Sequence, residues 1–141
     1  MVKRILVATD ASEYSRHALI IAVEYAKQFQ AEIELLHVVH QPPLVYPELG
    51  GYFFSYSDEQ IKEIGKHVLE ETLKGIDTGQ VKINRKIVPG YPQTAILDEI
   101  KRDIDLVILG TRGHSPIAGA LIGSVTQRVL ADAPCPVLVV K

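Results

Sequence analysis

A chain of 141 residues with 47% hydrophobic and 23% charged side chains can bury a sizeable core and lacks the polar, highly charged composition of a disordered segment. Its formal net charge of -2 and pI near 6.2 supply no basic field for a polyphosphate backbone, which argues against nucleic acid as the main partner. The apolar stretch after Met1-Val2-Lys3-Arg4 stops at Thr9-Asp10, too short for a membrane span or a signal-peptide core, and the single cysteine, Cys135, has no internal partner. The expectation is one domain over residues 1–141, cytoplasmic, with no membrane association.

Ile5-Leu6-Val7-Ala8 reads as a short buried strand, and Glu32-Ile33-Glu34-Leu35-Leu36-His37-Val38-Val39 as a second. Between them Ser12 is a candidate N-cap, and Ala18, Ala22, Tyr25, Ala26 and Phe29 recur at helical intervals and predict one apolar stripe. After an irregular stretch from His40 to Ser57, Asp58 is the expected cap of a second helix with Ile61, Ile64, Val68 and Leu69 on one face. A strand over Val81 to Val88 follows, broken by Gly90-Tyr91-Pro92, with Pro92 in the first turn of a helix running to about Arg102. Leu106-Val107-Ile108-Leu109 is the fourth strand. A short helix opening at Gly123 or Ser124 and ending at Leu130, then Val137-Leu138-Val139-Val140, complete a β-α-β-α-β-α-β-α-β order.

Such an order implies an α/β fold, an open, mostly parallel five-stranded sheet with helices on both faces, in three layers. Ligands bind these sheets beyond the carboxyl ends of the strands, where the strand order reverses. The informative residues therefore follow the strands. After the fourth strand comes Gly110-Thr111-Arg112-Gly113-His114, and Gly123-Ser124-Val125 opens the last helix. Glycines after a strand and before a helix let backbone approach a phosphate, and a helix N-terminus favours negative charge. Ser124 adds a hydroxyl, and Arg112 and His114 add charge unless they are plain solvated loop residues. The spacing is neither that of a P-loop nor the dinucleotide Gly-x-Gly-x-x-Gly fingerprint.

The pattern Gly110-x2-Gly113-x9-Gly123-Ser124 resembles the ATP-binding branch of the universal stress protein family. The likeness extends to Ile5-Leu6-Val7-Ala8-Thr9-Asp10-Ala11-Ser12, to Leu35-Leu36-His37-Val38, and to Pro134-Cys135-Pro136-Val137-Leu138-Val139-Val140. The resemblance implies strand order 3-2-1-4-5 and a Rossmann-like, adenine nucleotide α-hydrolase-like fold. It also implies ATP or a related adenine nucleotide as ligand, with any Mg²⁺ or Mn²⁺ held mainly by the phosphates. Carried over, Asp10 contacts the adenosine part and Val38 lines the adenine pocket. Gly110 and Gly113 pass close to ribose and phosphates, and Gly123, Ser124 and Val125 take the phosphate tail. Ala8, Thr9, Leu109 and Arg112 complete the expected site; Ala8 stands where many members carry proline.

Three functions compete: an ATP-binding regulatory or stress-response protein without strong catalysis, an ATP-using enzyme or partner-dependent switch, and a nucleotide-free scaffold. The intact glycine pattern argues against the third. The absence of a carboxylate in the glycine segment argues against the second, and no catalytic residue or protein metal ligand is expected. Asp10 is also a candidate helix-capping residue. His37 and His40 lie three apart on a strand, point to opposite faces and cannot chelate one metal; both read as packing or solvated residues, as Cys135 does. Five of the nine aromatic residues, Tyr46, Tyr52, Phe53, Phe54 and Tyr56, fall in the irregular stretch and must pack on something: a lid over the ligand, a dimer contact or the chain itself, the last two being preferred. The aliphatic Val137 to Val140 run, placed at a sheet edge by the family order, implies a homodimer.

Overall fold

The computed structural model describes residues 1–41, 45, 46, 48, 52, 53, 55–114 and 121–141. In chain order its elements are β1 (Arg4–Ala8), α1 (Glu13–Phe29), β2 (Glu32–His40), β3 (Val45–Tyr46), β4 (Tyr52–Phe53), α2 (Asp58–Leu73), β5 (Ile83–Gly90), α3 (Pro92–Ile100), β6 (Leu106–Gly110), α4 (Ser124–Asp132) and β7 (Val137–Val140). Five strands pair in parallel in the order β5-β2-β1-β6-β7. Counted within that sheet, the order is 3-2-1-4-5, as expected. β3 and β4 form a separate two-residue antiparallel pair that the periodicity did not anticipate. The side chains of Tyr46, Tyr52, Phe53 and Phe54, expected at a packing or dimer contact, lie outside the described residues.

Because strand side chains alternate between faces, the sheet carries two cores. Ile5, Val7, Ile33, Leu35 and Ile108 pack with Ala18, Leu19, Ala22 and Val23 of α1 and Leu69 of α2. Leu6, Leu36, Val38, Val107 and Leu109 pack with Ile96, Leu97 and Ile100 of α3 and Val129 of α4. Two helices therefore cover each face. Each fully buried Leu, Ile or Val contributes about 1.5–3 kcal/mol of transfer free energy, which is what fixes the strand register.

Ser12 caps α1 as expected, its side chain accepting from the Ser15 amide. The buried stripe is Ser15, Ala18, Leu19, Ala22, Val23 and Ala26. Tyr25 and Phe29, expected on that stripe, are instead 39% and 42% exposed and meet edge to face at 6.0 Å. The three alanines let α1 lie close on the sheet, and rings of that size fit only on its outer flank. The cap of α2 is Ser57, not Asp58: Ser57 and Gln60 form a reciprocal capping box, and Asp58 sits in the first turn, where a carboxylate still favours the helix dipole. Its buried face is Ile61, Gly65, Leu69 and Thr72, with Ile64 and Val68 only half-buried. A side chain at Gly65 would run into Ile87, so glycine there is what lets α2 settle on β5.

β5 starts two residues after the expected Val81, whose amide closes a turn onto the Thr78 carbonyl at 3.1 Å. Pro92 opens α3 as expected, and the helix stops at Ile100 rather than Arg102. The half-buried Cys135 packs against the second core, where burial, and then the charge of Asp105, push its thiol up and away from reactivity. Among the described residues, no helix is long and apolar enough to cross a membrane.

Candidate functional site

β1 and β6 are neighbours in the sheet, and the loops leaving their carboxyl ends meet at Asp10. Its Oδ1 accepts from the Ser12 amide at 2.9 Å and the Ser15 hydroxyl at 3.2 Å. Its Oδ2 accepts from the His114 amide at 3.2 Å, across the crevice from the β6 loop. The His114 Nε2 and the Asp10 carbonyl lie 2.6 Å apart, a second tie between the same loops. Burial pushes the Asp10 carboxyl up, but hydrogen bonds from Ser12, the charge of His114 and the Ser15 hydroxyl outweigh it and hold the group below its ordinary value. Asp10 is thus a turn-capping residue and also faces the crevice, so both readings of it apply to one side chain.

The Thr9 side chain points away from the crevice, into a buried hydroxyl chain. Its Oγ1 lies 2.9 Å from Ser15 Oγ and 2.7 Å from Thr72 Oγ1, which anchors the β1 loop to both α1 and α2. Its carbonyl lies 2.7 Å from His37 Nδ1. Burial pushes the His37 imidazole below its ordinary value, against the Thr9 carbonyl and Asp10, which favour the charged form. Both shifts act in one direction: the stability they contribute is present above each group's ordinary value and is lost as the pH falls toward the depressed one. His40 lies on the opposite strand face, its ring 5.3 Å from that of Tyr91, so the two side chains point apart as expected.

Around these loops lies a cavity of about 620 Å³, within the range of small-ligand sites. All eleven residues expected at the ligand line it: Ala8, Thr9 and Asp10 from the end of β1, Val38 from β2, Leu109, Gly110, Arg112 and Gly113 from β6 and its loop, and Gly123, Ser124 and Val125 at the start of α4. Ser15, His37, Pro92 and Ile96 also border it and were not among the expected residues. Their signal was available in part, since Pro92 lies two residues past the carboxyl end of β5. Ile96, one helical turn farther along α3, has no mark in the sequence that separates it from other core residues. Part of the lining is apolar, Leu36, Val38, Ile96 and Leu109 of the second core, and part is polar, Asp10, Arg112, His114 and the N-terminus of α4.

The three glycines stand there for different reasons. A Cβ at Gly110 would lie 2.8 Å from the Tyr14 carbonyl carbon and 2.9 Å from its oxygen, so packing of β6 on α1 by itself demands glycine. At Gly113 a Cβ would collide with the Asp10 carboxylate. Gly123 is different: its φ of -70° suits any residue, and among the described residues a Cβ would make only ordinary contacts of 3.5 Å with Arg112 and Thr111. Gly123 caps α4, and its own amide donates to the Thr111 carbonyl at 2.6 Å, which pulls the helix start against the β6 loop. Thr126 Oγ1 donates to the Gly110 carbonyl at 2.8 Å and fixes the same junction.

The model of the universal stress protein family matches residues 1–141, the whole chain. The chain belongs to the universal stress protein family. A universal stress protein of Methanocaldococcus jannaschii is 36% identical over 141 residues, covering 99% of this chain and 82% of that protein. The universal stress protein YxiE of Bacillus subtilis is 34% identical over 149 residues, covering both chains fully. Among solved structures, a universal stress protein of Lactobacillus plantarum superposes with a TM-score of 0.79 at 26% identity, covering 99% of this chain and 97% of its own. The 3-2-1-4-5 sheet and the crevice between β1 and β6 are therefore the frame of a universal stress protein, in which the first and fourth sheet strands lie side by side.

Close packing in this universal stress protein frame makes one substitution diagnostic. Gly110→Ala is expected to lower stability by about 1–3 kcal/mol in urea denaturation, because the methyl group meets helix backbone, which cannot swing aside. An unchanged midpoint would mean that β6 and α1 do not approach this closely.

Proposed function

We propose that the cavity binds ATP, or a closely related adenine nucleotide, and that the chain is a regulatory or stress-response protein of the family's ATP-binding branch. The apolar part of the lining suits a purine ring, and Val38 offers it both backbone and side chain. The polar part suits phosphates. Arg112 has no ion-pair partner among the described residues, and the first turn of α4 presents amides that no earlier turn of that helix can satisfy. The observation that carries this reading is Gly123: among the described residues neither its backbone angles nor its neighbours exclude a side chain, and a close-lying ligand would. A universal stress protein of this fold, 24% identical, was solved in complex with cAMP, and another, from Archaeoglobus fulgidus and 22% identical, in complex with dAMP. Those ligands belong to those proteins; at such identity the likeness is one of fold.

Gly123→Val is expected to leave the protein folded, with a stability loss no larger than an N-cap change of about 1 kcal/mol, and to abolish binding of ATP in calorimetric titration. A folded variant that binds as the parent does removes the glycine segment from the site.

The same reading predicts little catalysis. Asp10 is the one carboxylate that lines the cavity among the described residues, and both its oxygens are occupied by Ser12, Ser15 and His114. A carboxylate tied to both loops in this way is poorly placed to orient a water molecule, and a divalent cation such as Mg²⁺ or Mn²⁺ would be held mainly by the phosphates. In a single-turnover assay the purified protein is expected to hydrolyse ATP very slowly or not at all. Turnover of about 1 per second or faster would favour the hydrolase or partner-driven switch instead.

We further propose that the protein works in the cytoplasm as a single-domain homodimer joined through β7. That strand ends one side of the sheet, all four of its residues are only half-buried, and among the described residues no strand pairs with its outer edge. Antiparallel pairing of two copies about a two-fold axis satisfies both edges at once. Val139→Lys places an unpaired charge at that seam. Light scattering behind a sizing column is expected to give a dimer for the parent and a shift toward monomer for the variant. A parent that is monomeric at tens of micromolar contradicts the dimer, and a variant that stays fully dimeric moves the interface elsewhere.

A further inference from the structure

Side-chain alternation on three neighbouring strands directs Arg4 of β1, Glu34 of β2 and Lys86 of β5 to the same sheet face as Leu6, Leu36 and Val88, the face that α3 covers. Glu99 of α3 comes down onto them. Glu34 is 4% exposed and Glu99 6%, an unusual depth for two carboxylates in one place. Arg4 Nη2 donates to Glu34 Oε2 at 3.1 Å, and Lys86 Nζ donates to Glu99 Oε1 at 2.5 Å. Farther out, Glu32 occupies the remaining side of Arg4, at 3.3 Å from its Nε, and also holds Lys82 at 3.5 Å. Arg102, just past the end of α3, adds its charge to Glu99.

Two buried atoms are left over among the described residues: Arg4 Nε, which has an ion pair with Glu32 but no hydrogen bond, and Glu34 Oε1. Glu34 Oε1 is buried and receives no donor among the described residues, while its carboxyl adjoins that of Glu99. With both groups ionised, two like charges would face each other in a low-dielectric site and a buried oxygen would go without a hydrogen. A proton on Glu34 Oε1, donated to Glu99, removes both problems and turns a repulsion into a hydrogen bond.

We propose that Glu34 and Glu99 form a proton-binding site between β2 and α3, holding one proton, with Glu34 as the acid and Glu99 as the carboxylate. Burial raises Glu34, and the hydrogen bond and charge of Glu99 raise it further, against Lys86 and Arg4, to about 7. Burial also pushes Glu99 up, but the hydrogen bonds from Glu34 and Lys86, with the charges of Lys86 and Arg102, hold it below its ordinary value. The stability contributed by Glu34 is therefore present below its ordinary value and lost as the pH rises through about 7. That contributed by Glu99 is lost as the pH falls through its depressed value. The singly protonated pair is the stable one. Since α3 also carries Pro92 and Ile96 to the cavity wall, loss of the proton acts on the helix that bounds one side of the cavity.

Carbon-13 NMR of the glutamate side-chain carboxyls, followed from about pH 5 to about pH 9, reads the site directly, because ordinary glutamates have finished titrating by about pH 6. A carboxyl resonance with a midpoint near 7 that disappears in Glu34→Gln is expected. If every glutamate titrates with an ordinary midpoint, the proposal is overturned. Urea denaturation supplies an independent reading: the parent's midpoint is expected to fall between about pH 6 and pH 8, and that of Glu34→Gln to fall less. Equal pH dependence in the two proteins overturns the proposal as well. Should Glu34→Gln not fold, the titration of the parent decides alone.

Discussion

β1 and β6 run side by side and in parallel, yet the chain leaving β1 turns into α1 on one face of the sheet, and the chain leaving β6 makes for α4 on the other. Diverging loops leave a crevice at the carboxyl end of the sheet, with backbone groups on both rims that must find partners. Asp10 supplies them. A single half-buried carboxylate takes hydrogen bonds from Ser12 and Ser15 on the β1 side and from the His114 amide on the β6 side. The width of the crevice, and so the shape of the cavity, depends on that bridge.

Other close approaches serve the same geometry. Gly110 lets the end of β6 lie against the backbone of Tyr14, Gly65 lets α2 settle on β5, and the alanine stripe brings α1 onto the sheet. The hydroxyl chain Thr72–Thr9–Ser15 then ties α2, the β1 loop and α1 together and ends at the Asp10 carboxylate. Each hydrogen bond in that chain contributes only about 1 kcal/mol, but in a dry interior an unsatisfied hydroxyl would cost more, so the chain fixes one arrangement. The β1 side of the cavity is consequently tied to both α1 and α2.

Elements with a strong period were legible in the sequence. Val137 to Val140 is a strand with the bounds that its aliphatic run set, and Pro92 opens its helix because a proline at that position loses no hydrogen bond. The glycine spacing brought Gly110, Gly113, Gly123 and Ser124 to one cavity, although only the strand order, which came from family resemblance and not from periodicity, places Asp10 opposite them. What the sequence hid depends on packing. Tyr25 and Phe29 keep the helical interval of the buried stripe, and only the closeness of α1 to the sheet puts them outside. Ser57 and Asp58 are both good caps, and Gln60 decides between them by completing the capping box. Glu34 stood in plain view inside an aliphatic strand. Its partners Arg4, Lys86 and Glu99 are distant in sequence, and no local pattern joins them.

The central claim is that the cavity between the β1 and β6 loops is an adenine-nucleotide site. Denaturing the purified protein and separating any released small molecules by chromatography tests it most directly, since a ligand retained through purification needs no prior guess at its identity. Near-stoichiometric ATP or ADP from the parent, and none from Gly123→Val, is the expected result. A parent that releases no nucleotide, and that shows no heat on titration with ATP, ADP or AMP, would contradict the account.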